Sequence, residues 1–130
     1  MGVWDFYNKA ELANAIAAAK RMPHIVAGLS LGNEMILSRR AAWGDLEHML
    51  GQVRAELPAV PLTVTEAFAE FLDLPDAKPV LAQMDFLMAN VHPIFEPWFR
   101  SAHAGNWADF VAKVSELLAG VLSGPVLRKE

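Results

Sequence analysis

Short apolar runs alternate with longer amphipathic stretches along most of the chain, and this alternation restricts the fold more than any other feature of the sequence. The clearest run covers residues 25–31 and is followed directly by Gly-Asn-Glu. A continuous apolar run of this length is typical of a strand that is buried on both faces of a parallel sheet. Further strands are predicted at residues 2–6, 61–66, 84–91 and 125–129.

The stretches between these runs have the periodicity of helices. We predict helices at residues 9–22, 43–56 and 107–121, and a short helix or turn at residues 74–82. Asn8 and Glu11 form a capping-box pattern at the start of the first helix, and Pro23 ends that helix. The resulting β-α-β-α-β-(α)-β-α-β order predicts an α/β fold with a parallel sheet and right-handed crossovers.

Composition excludes several classes of function. The chain is 54% hydrophobic and 20% charged, which suits a globular core, and its net charge of −4 does not favour nucleic acid or an anionic membrane. The absence of cysteine rules out disulfides and thiolate metal sites, and the four histidines have no metal-binding spacing. No apolar run reaches the ~18 residues that span a bilayer. We therefore expect no metal, no cofactor and no membrane segment.

Carboxylates follow two of the predicted strands. Glu34 comes directly after the run at residues 25–31, and Glu66 ends the run at residues 61–66. In α/β barrels the carboxyl ends of the strands form the face where catalytic groups gather. The position of Glu34 therefore predicts either a catalytic carboxylate or a polar residue that merely ends a strand.

Four segments occur in a particular order along the chain. They are Gly2-Val3-Trp4 with the helical residues 11–16, Leu-Gly-Asn-Glu at 31–34, Asp85-Phe86 followed by Asn-Val-His-Pro-Ile-Phe at 90–95, and Pro-Val-Leu-Arg-Lys-Glu at 125–130. This ordered set resembles glycoside hydrolase family 17, the β-1,3-glucanases and related transglycosylases. Asn-Glu alone is weaker, because many clan A glycosidases share it.

The resemblance spans nearly the whole chain and implies strands three to seven of a (β/α)8 TIM barrel. Such a barrel has eight strands and typically about 250 residues. We therefore expect residues 1–130 to form a single, partial barrel domain that lacks strands one, two and eight. Open sheet edges of a partial barrel would favour self-association.

The resemblance also implies roles for individual residues. Glu34 resembles the general acid/base and Glu130 the nucleophile, while Asn33 resembles the residue that binds the sugar near its 2-hydroxyl. Retaining glycosidases hold the two carboxyl groups about 5–5.5 Å apart. This proximity raises the pKa of one carboxyl group, so that it is protonated near neutral pH.

Other polar and aromatic residues at the same edge are candidates for sugar binding. They are Glu66, Asn90, His92, Phe95 and Trp98. For each there is an ordinary structural alternative: Glu66 as a solvated or salt-bridged rim residue, His92 bonded to backbone, and the aromatic side chains, with Phe99, as core or loop anchors. Trp4 fits either role, and Arg39 with Arg40 is interpreted as a solvated pair.

The function expected from this resemblance is retaining hydrolysis of β-1,3-glucan or a related β-glucan, or transfer of glucan chains. Two alternatives stay open: another clan A β-glycosidase, and a non-catalytic carbohydrate-binding or structural barrel fragment. A glucan-active enzyme would usually act outside the cytoplasm, as a secreted, periplasmic or membrane-tethered protein.

Overall fold

Four parallel strands form one sheet in the computed structural model, which describes residues 1–72, 75–96 and 106–122. The strands are β1 (Gly2–Val3), β2 (Leu29–Asn33), β3 (Leu62–Ala67) and β4 (Met88–Asn90). Strands that are neighbours in the sheet are also consecutive in the chain, and every pair is parallel. The predicted α/β class with a parallel sheet is therefore confirmed.

Helices lie between consecutive strands, and a last helix follows β4. They are α1 (Lys9–Arg21), α2 (Trp43–Glu56), α3 (Phe68–Leu72), α4 (Lys78–Gln83) and α5 (Trp107–Leu122), with a 3₁₀ turn at Pro93–Phe95. The bounds of α1, α2 and α5 agree with the predicted helices to within a residue. The predicted strand at residues 125–129 lies outside the described residues.

The strand predicted at residues 25–31 is displaced in the structure. Residues 23–25 form a turn, in which the N–H groups of Ile25 and Val26 both donate to the carbonyl of Met22. The side chain of Ile25 is exposed, so its apolar character does not reflect burial in a sheet. Strand β2 begins only at Leu29 and continues through Asn33. The run predicted at residues 84–91 is likewise a strand only over its last part, β4.

The core lies between the sheet and the helices. Leu29 and Leu31 of β2 and Leu62 and Val64 of β3 are fully buried on this side. They belong to one cluster with the buried residues of the helices, which include Ala15 and Ala19 of α1, Leu46, Leu50 and Val53 of α2, and Phe110, Val114 and Leu118 of α5. Because side chains alternate along a strand, Ser30 and Thr65 lie on the opposite face of the sheet.

That opposite face borders a cavity of about 720 Å³. Ser30 and Thr65 line it and share a hydrogen bond of 2.7 Å between their hydroxyl groups. Its other walls include Trp4 after β1, Asn33 at the end of β2 and Asn90 at the end of β4. The cavity extends along this face of the sheet, from Gly28 and Phe86 before the strands to Asn33 and Asn90 at their carboxyl ends, and in parallel α/β folds ligands bind at the carboxyl ends.

Candidate active site

A bulge at the end of β2 determines where Asn33 points. Ser30 pairs with Thr63 of β3, but Asn33 pairs with Thr65, so β2 has one more residue than β3 over this interval. Gly32 lies within the interval and has a φ of 89°, in the region that favours glycine. The extra residue brings Asn33 to the wall of the cavity, together with Ser30 and Thr65.

Glu34 follows the bulge in an uncommon backbone conformation. Its φ is 50°, which is rare for a residue other than glycine, asparagine or aspartate. Its N–H donates to the carbonyl of Thr65 at 2.8 Å, and its carbonyl accepts from the N–H of Ser38 at 3.0 Å. The side chain is 26% exposed, so the carboxyl group is sheltered but reachable from solvent. Backbone outliers of this kind cluster at functional sites.

The side chain of Asn90 joins the ends of β2 and β4. Its Nδ2 atom donates to Oδ1 of Asn33 at 3.2 Å and to Oε1 of Glu34 at 2.9 Å. An amide nitrogen carries two hydrogens, so both bonds can form together. Two neighbouring residues and one residue 56 positions further along the chain therefore form one polar cluster. Asn33, Glu34 and Asn90 were all predicted as site residues from the sequence.

His92 and Phe95 continue this cluster outward. The Nε2 atom of His92 lies 3.8 Å from Oε1 of Glu34, and its ring centre lies 6.0 Å from that of Phe95 in an edge-on arrangement. The side chain of His92 is 56% exposed, and Phe95 is 78% exposed. An aromatic residue this exposed is not part of the core of the described residues. An accessible ring beside polar groups suits stacking on an apolar ligand face.

Glu66 does not line the cleft, contrary to the expectation from the sequence. Its side chain is 0% exposed and lies on the same face of β3 as Leu62 and Val64, away from the cavity. The carboxyl group accepts hydrogen bonds from the backbone of residues 35–37. Strand alternation explains the difference, because Thr63 and Thr65 take the other face. The same alternation, read from the polar threonines, could have placed Glu66 correctly.

Arg40 takes part in the cluster, although the sequence indicated a solvated pair with Arg39. Its guanidinium group donates to the carbonyl of Asn33 at 2.9 Å and to Oδ2 of Asp5 at 3.2 Å. The same group lies 6.0 Å from the centre of the Trp4 ring, within the range of a cation–π contact. Arg40 is exposed, as predicted, but its bonds to Asp5 and Asn33 were not expected, and no local sequence signal distinguishes it from Arg39.

Trp4 is exposed at the mouth of the cavity, where 63% of its surface is accessible. Glu11 holds the backbone there, since its carboxyl group accepts from the N–H groups of Trp4 and Asp5. The predicted capping box is thus only half formed: Asn8 accepts from the N–H of Glu11 at 3.2 Å, but Glu11 bonds to the strand end instead of Asn8.

Two predicted site residues, Glu130 and Trp98, lie outside the described residues, as does Phe99. The pairing of Glu34 with a second carboxyl group therefore stays a prediction. Within the described ranges, no group of three or more His, Cys, Asp or Glu side chains is arranged to bind a metal ion. None of the helices in those ranges is long and apolar enough to cross a membrane.

Comparison with known proteins adds no family to these observations. No protein-family model, no curated protein and no solved structure matches the chain. What the cluster can do chemically follows from its own groups. A sheltered carboxyl group beside a cavity, oriented by an amide and close to an imidazole, is suited to exchanging a proton with a bound ligand.

Proposed function

We propose that this chain forms part of the (β/α)8 barrel of a retaining β-glycosidase similar to glycoside hydrolase family 17, and that its substrate is β-1,3-glucan or a related β-glucan. The observation that carries the proposal is the bond from Asn90 to both Asn33 and Glu34. It joins two of the segments that resemble the family, which are far apart in the sequence.

The fold supports the barrel. Parallel strands in sequential order, with helices packed on one face, are the repeating unit of a (β/α)8 barrel. In that arrangement β1 to β4 correspond to strands three to six, and the cavity belongs to the barrel's inner side. The strand predicted at residues 125–129 would follow β4 as strand seven and carry Glu130.

In the proposed mechanism, the carboxyl group of Glu34 protonates the glycosidic oxygen as the bond to the leaving sugar breaks. The carboxylate of Glu130 attacks the anomeric carbon and forms a covalent glycosyl intermediate. Glu34, now ionised, removes a proton from water, which hydrolyses the intermediate. An acceptor sugar in place of that water gives transglycosylation.

The hydrogen bonds of the cluster support the separate roles of its members. Because Oδ1 of Asn33 accepts from Asn90, the Nδ2 group of Asn33 serves as the donor to a sugar hydroxyl. Asn90 fixes one oxygen of Glu34, and His92 lies beside the same oxygen. Phe95 and Trp98 supply aromatic faces for the apolar faces of glucose rings.

The proposal is tested by hydrolysis of laminari-oligosaccharides by the longest gene-encoded form of the chain, compared with Glu34→Gln. The variant keeps the size of the side chain but cannot transfer the proton, so we expect kcat to fall by about 10²- to 10⁴-fold. Glu56→Gln is the matched control, because Glu56 is an exposed carboxylate whose partner is Lys20 on α1.

Two other results of the hydrolysis test would change the proposal. Activity confined to a different β-linked glycan would indicate another clan A glycosidase with the same acid/base. A folded wild-type protein that hydrolyses no glycan would overturn the enzyme proposal.

A further inference from the structure

Glu66 is a fully buried carboxyl group that the proposed mechanism does not use. It lies near the end of β3, and none of its surface is accessible. Its Oε1 atom accepts from the N–H groups of Met35 at 2.7 Å and Ile36 at 3.1 Å, and Oε2 accepts from the N–H of Leu37 at 3.4 Å. A single side chain therefore satisfies three successive backbone donors.

Burying an ionisable group lowers the stability of the fold unless hydrogen bonds replace its lost hydration. Removing a carboxyl group from water is unfavourable, and burial raises the pKa of Glu66 even though the three N–H donors act in the opposite direction. An apolar residue would fill the same space, as Val64 does on the same strand face, but it would leave the three N–H groups without an acceptor. Satisfying those donors is thus the specific contribution of this side chain.

The three donors belong to the residues that directly follow Glu34. Glu34 itself is bonded through its N–H to Thr65, the residue before Glu66. Two consecutive residues of β3 therefore fix the chain at Glu34 and immediately after it. The left-handed backbone of Glu34, with its φ of 50°, lies between these two attachments.

We propose that Glu66 is a positioning residue, which holds the turn at residues 35–39 so that the carboxyl group of Glu34 is oriented toward a ligand bound beside Asn33 and Asn90. The proposal rests on the function proposed above for Glu34. Glu66 is fully buried and bonds to the residues directly after Glu34, so in this proposal it acts through Glu34 and not by touching the ligand. A misplacement of about 1 Å can cost about 10²-fold in rate, so the effect on catalysis is measurable.

The kinetic test uses three substitutions in the longest gene-encoded form of the chain. Glu66→Gln keeps an acceptor at the position of Oε1 and loses only the longest of the three bonds, from Leu37 at 3.4 Å. Glu66→Asp keeps a carboxyl group but withdraws it from the turn, and Glu66→Ala removes the acceptor. We expect kcat for laminari-oligosaccharides to fall by about 10²-fold in the Asp and Ala variants with little change in KM. The Gln variant should retain most of the wild-type kcat.

Val53→Ala is the control for loss of stability alone. Val53 is buried on α2 and does not contact the turn after Glu34 through any of the hydrogen bonds described above. We expect this variant to be destabilised but to keep the wild-type kcat below its unfolding temperature. A Glu66→Asp variant as active as the wild type, or a Val53→Ala variant equally impaired, would overturn the positioning role.

A second readout does not require enzyme activity. Amide hydrogen exchange at Met35 and Ile36, together with the carboxyl carbon NMR signal of Glu34, reports the turn directly. We expect slow exchange in the wild type and in Glu66→Gln, and faster exchange with a shifted Glu34 signal in Glu66→Asp. Unchanged exchange and an unchanged signal in Glu66→Asp would overturn the inference, whereas an inactive wild type would overturn only the proposed function.

Discussion

At the scale of single residues, Gly32 decides which side of the sheet Asn33 faces. Its φ is 89°, and a Cβ atom there would lie 2.7 Å from Cγ of Met35 and 3.3 Å from the ring of Phe6. The sequence predicts Asn33 as a site residue by its place after a strand. It contains no direct signal of the bulge that sets the direction of the Asn33 side chain. The Gly-Asn-Glu pattern is compatible with a regular strand end as well.

Gly32→Ala is therefore expected to destabilise the chain. A left-handed conformation at a residue other than glycine costs about 1–3 kcal/mol, and the contact with Met35 adds to that cost. The control is Gly44→Ala in α2, where the new methyl group meets nothing within 4 Å and a small gain in stability is expected. Urea unfolding measures both, and equal stabilities for the two variants would contradict the role of Gly32.

The titration of Glu66 gives a second residue-scale prediction. Burial is the largest cause of its raised pKa, the N–H donors of the turn lower it, and the nearby Glu70 carboxylate raises it further. Below the pKa of an unfolded glutamate, about 4.3, both states hold the proton. As pH rises from there through the raised folded-state pKa, the unfolded state releases its proton first, so the free energy of unfolding falls.

The side chain introduced by Glu66→Gln does not titrate, so the variant should lack the part of the pH dependence of stability that Glu66 causes. The free energy of unfolding of the wild type, minus that of the variant, is therefore expected to decrease as pH rises above about 4.3. Urea unfolding of both proteins across the acid and neutral range measures the difference, in which the other titrating groups cancel. A difference that stays constant or grows with pH would be inconsistent with the raised pKa.

At the scale of elements, Arg40 adds a side-chain link between the carboxyl ends of β1 and β2, which are already paired through their backbones. Its guanidinium group bonds to Asp5 after β1 and to the carbonyl of Asn33 at the end of β2, and it approaches the ring of Trp4. Helix bounds could be predicted from periodicity and capping, because these signals are local. The partners of Arg40 could not, because they are set by which strand ends meet.

Arg40→Lys tests this connection. Lysine keeps the charge but has no planar group with which to reach Asp5 and Asn33 together. We expect the free energy of unfolding to fall by at most about 1 kcal/mol, as is usual for a partly exposed ion pair. We also expect KM for laminari-oligosaccharides to rise several-fold, because Asn33 is less well placed. The control is Arg39→Lys, and an equal change in KM in that variant would refute a specific role for Arg40.

The strands, too, could be predicted only as far as local sequence signals allow. Residues 25–28 are as apolar as a buried strand, but they belong to the turn and connection after α1, where Val26 is buried without being part of the sheet. An apolar run indicates burial, and burial alone does not distinguish strand from connection. Neither end of β2 could therefore be predicted to the residue: the strand begins four residues later than the apolar run and extends two residues beyond it, through Gly32 to Asn33.

At the scale of the whole molecule, the order of elements predicts the parallel α/β sheet, and the sheet in turn explains the site. Parallel strands end at one edge, so polar residues after β2 and β4 meet there in spite of their separation in sequence. This is why Asn33, Glu34, Asn90 and His92 could be placed together from the sequence. Glu66 lies near the same edge of the sheet, but its side chain is on the opposite face. The order of the elements does not specify on which face a side chain lies.

The central claim is that Glu34 donates a proton to a glycosidic oxygen, and two substrates with different leaving groups test it most directly. The measurement is kcat/KM of wild type and Glu34→Gln for a laminari-oligosaccharide and for a dinitrophenyl β-glucoside of similar length. A sugar leaving group needs the proton, whereas dinitrophenolate leaves without one. The account predicts a loss of about 10²- to 10⁴-fold for the oligosaccharide and a much smaller loss for the aryl glucoside. Equal losses for both substrates would contradict the role of Glu34 as the acid.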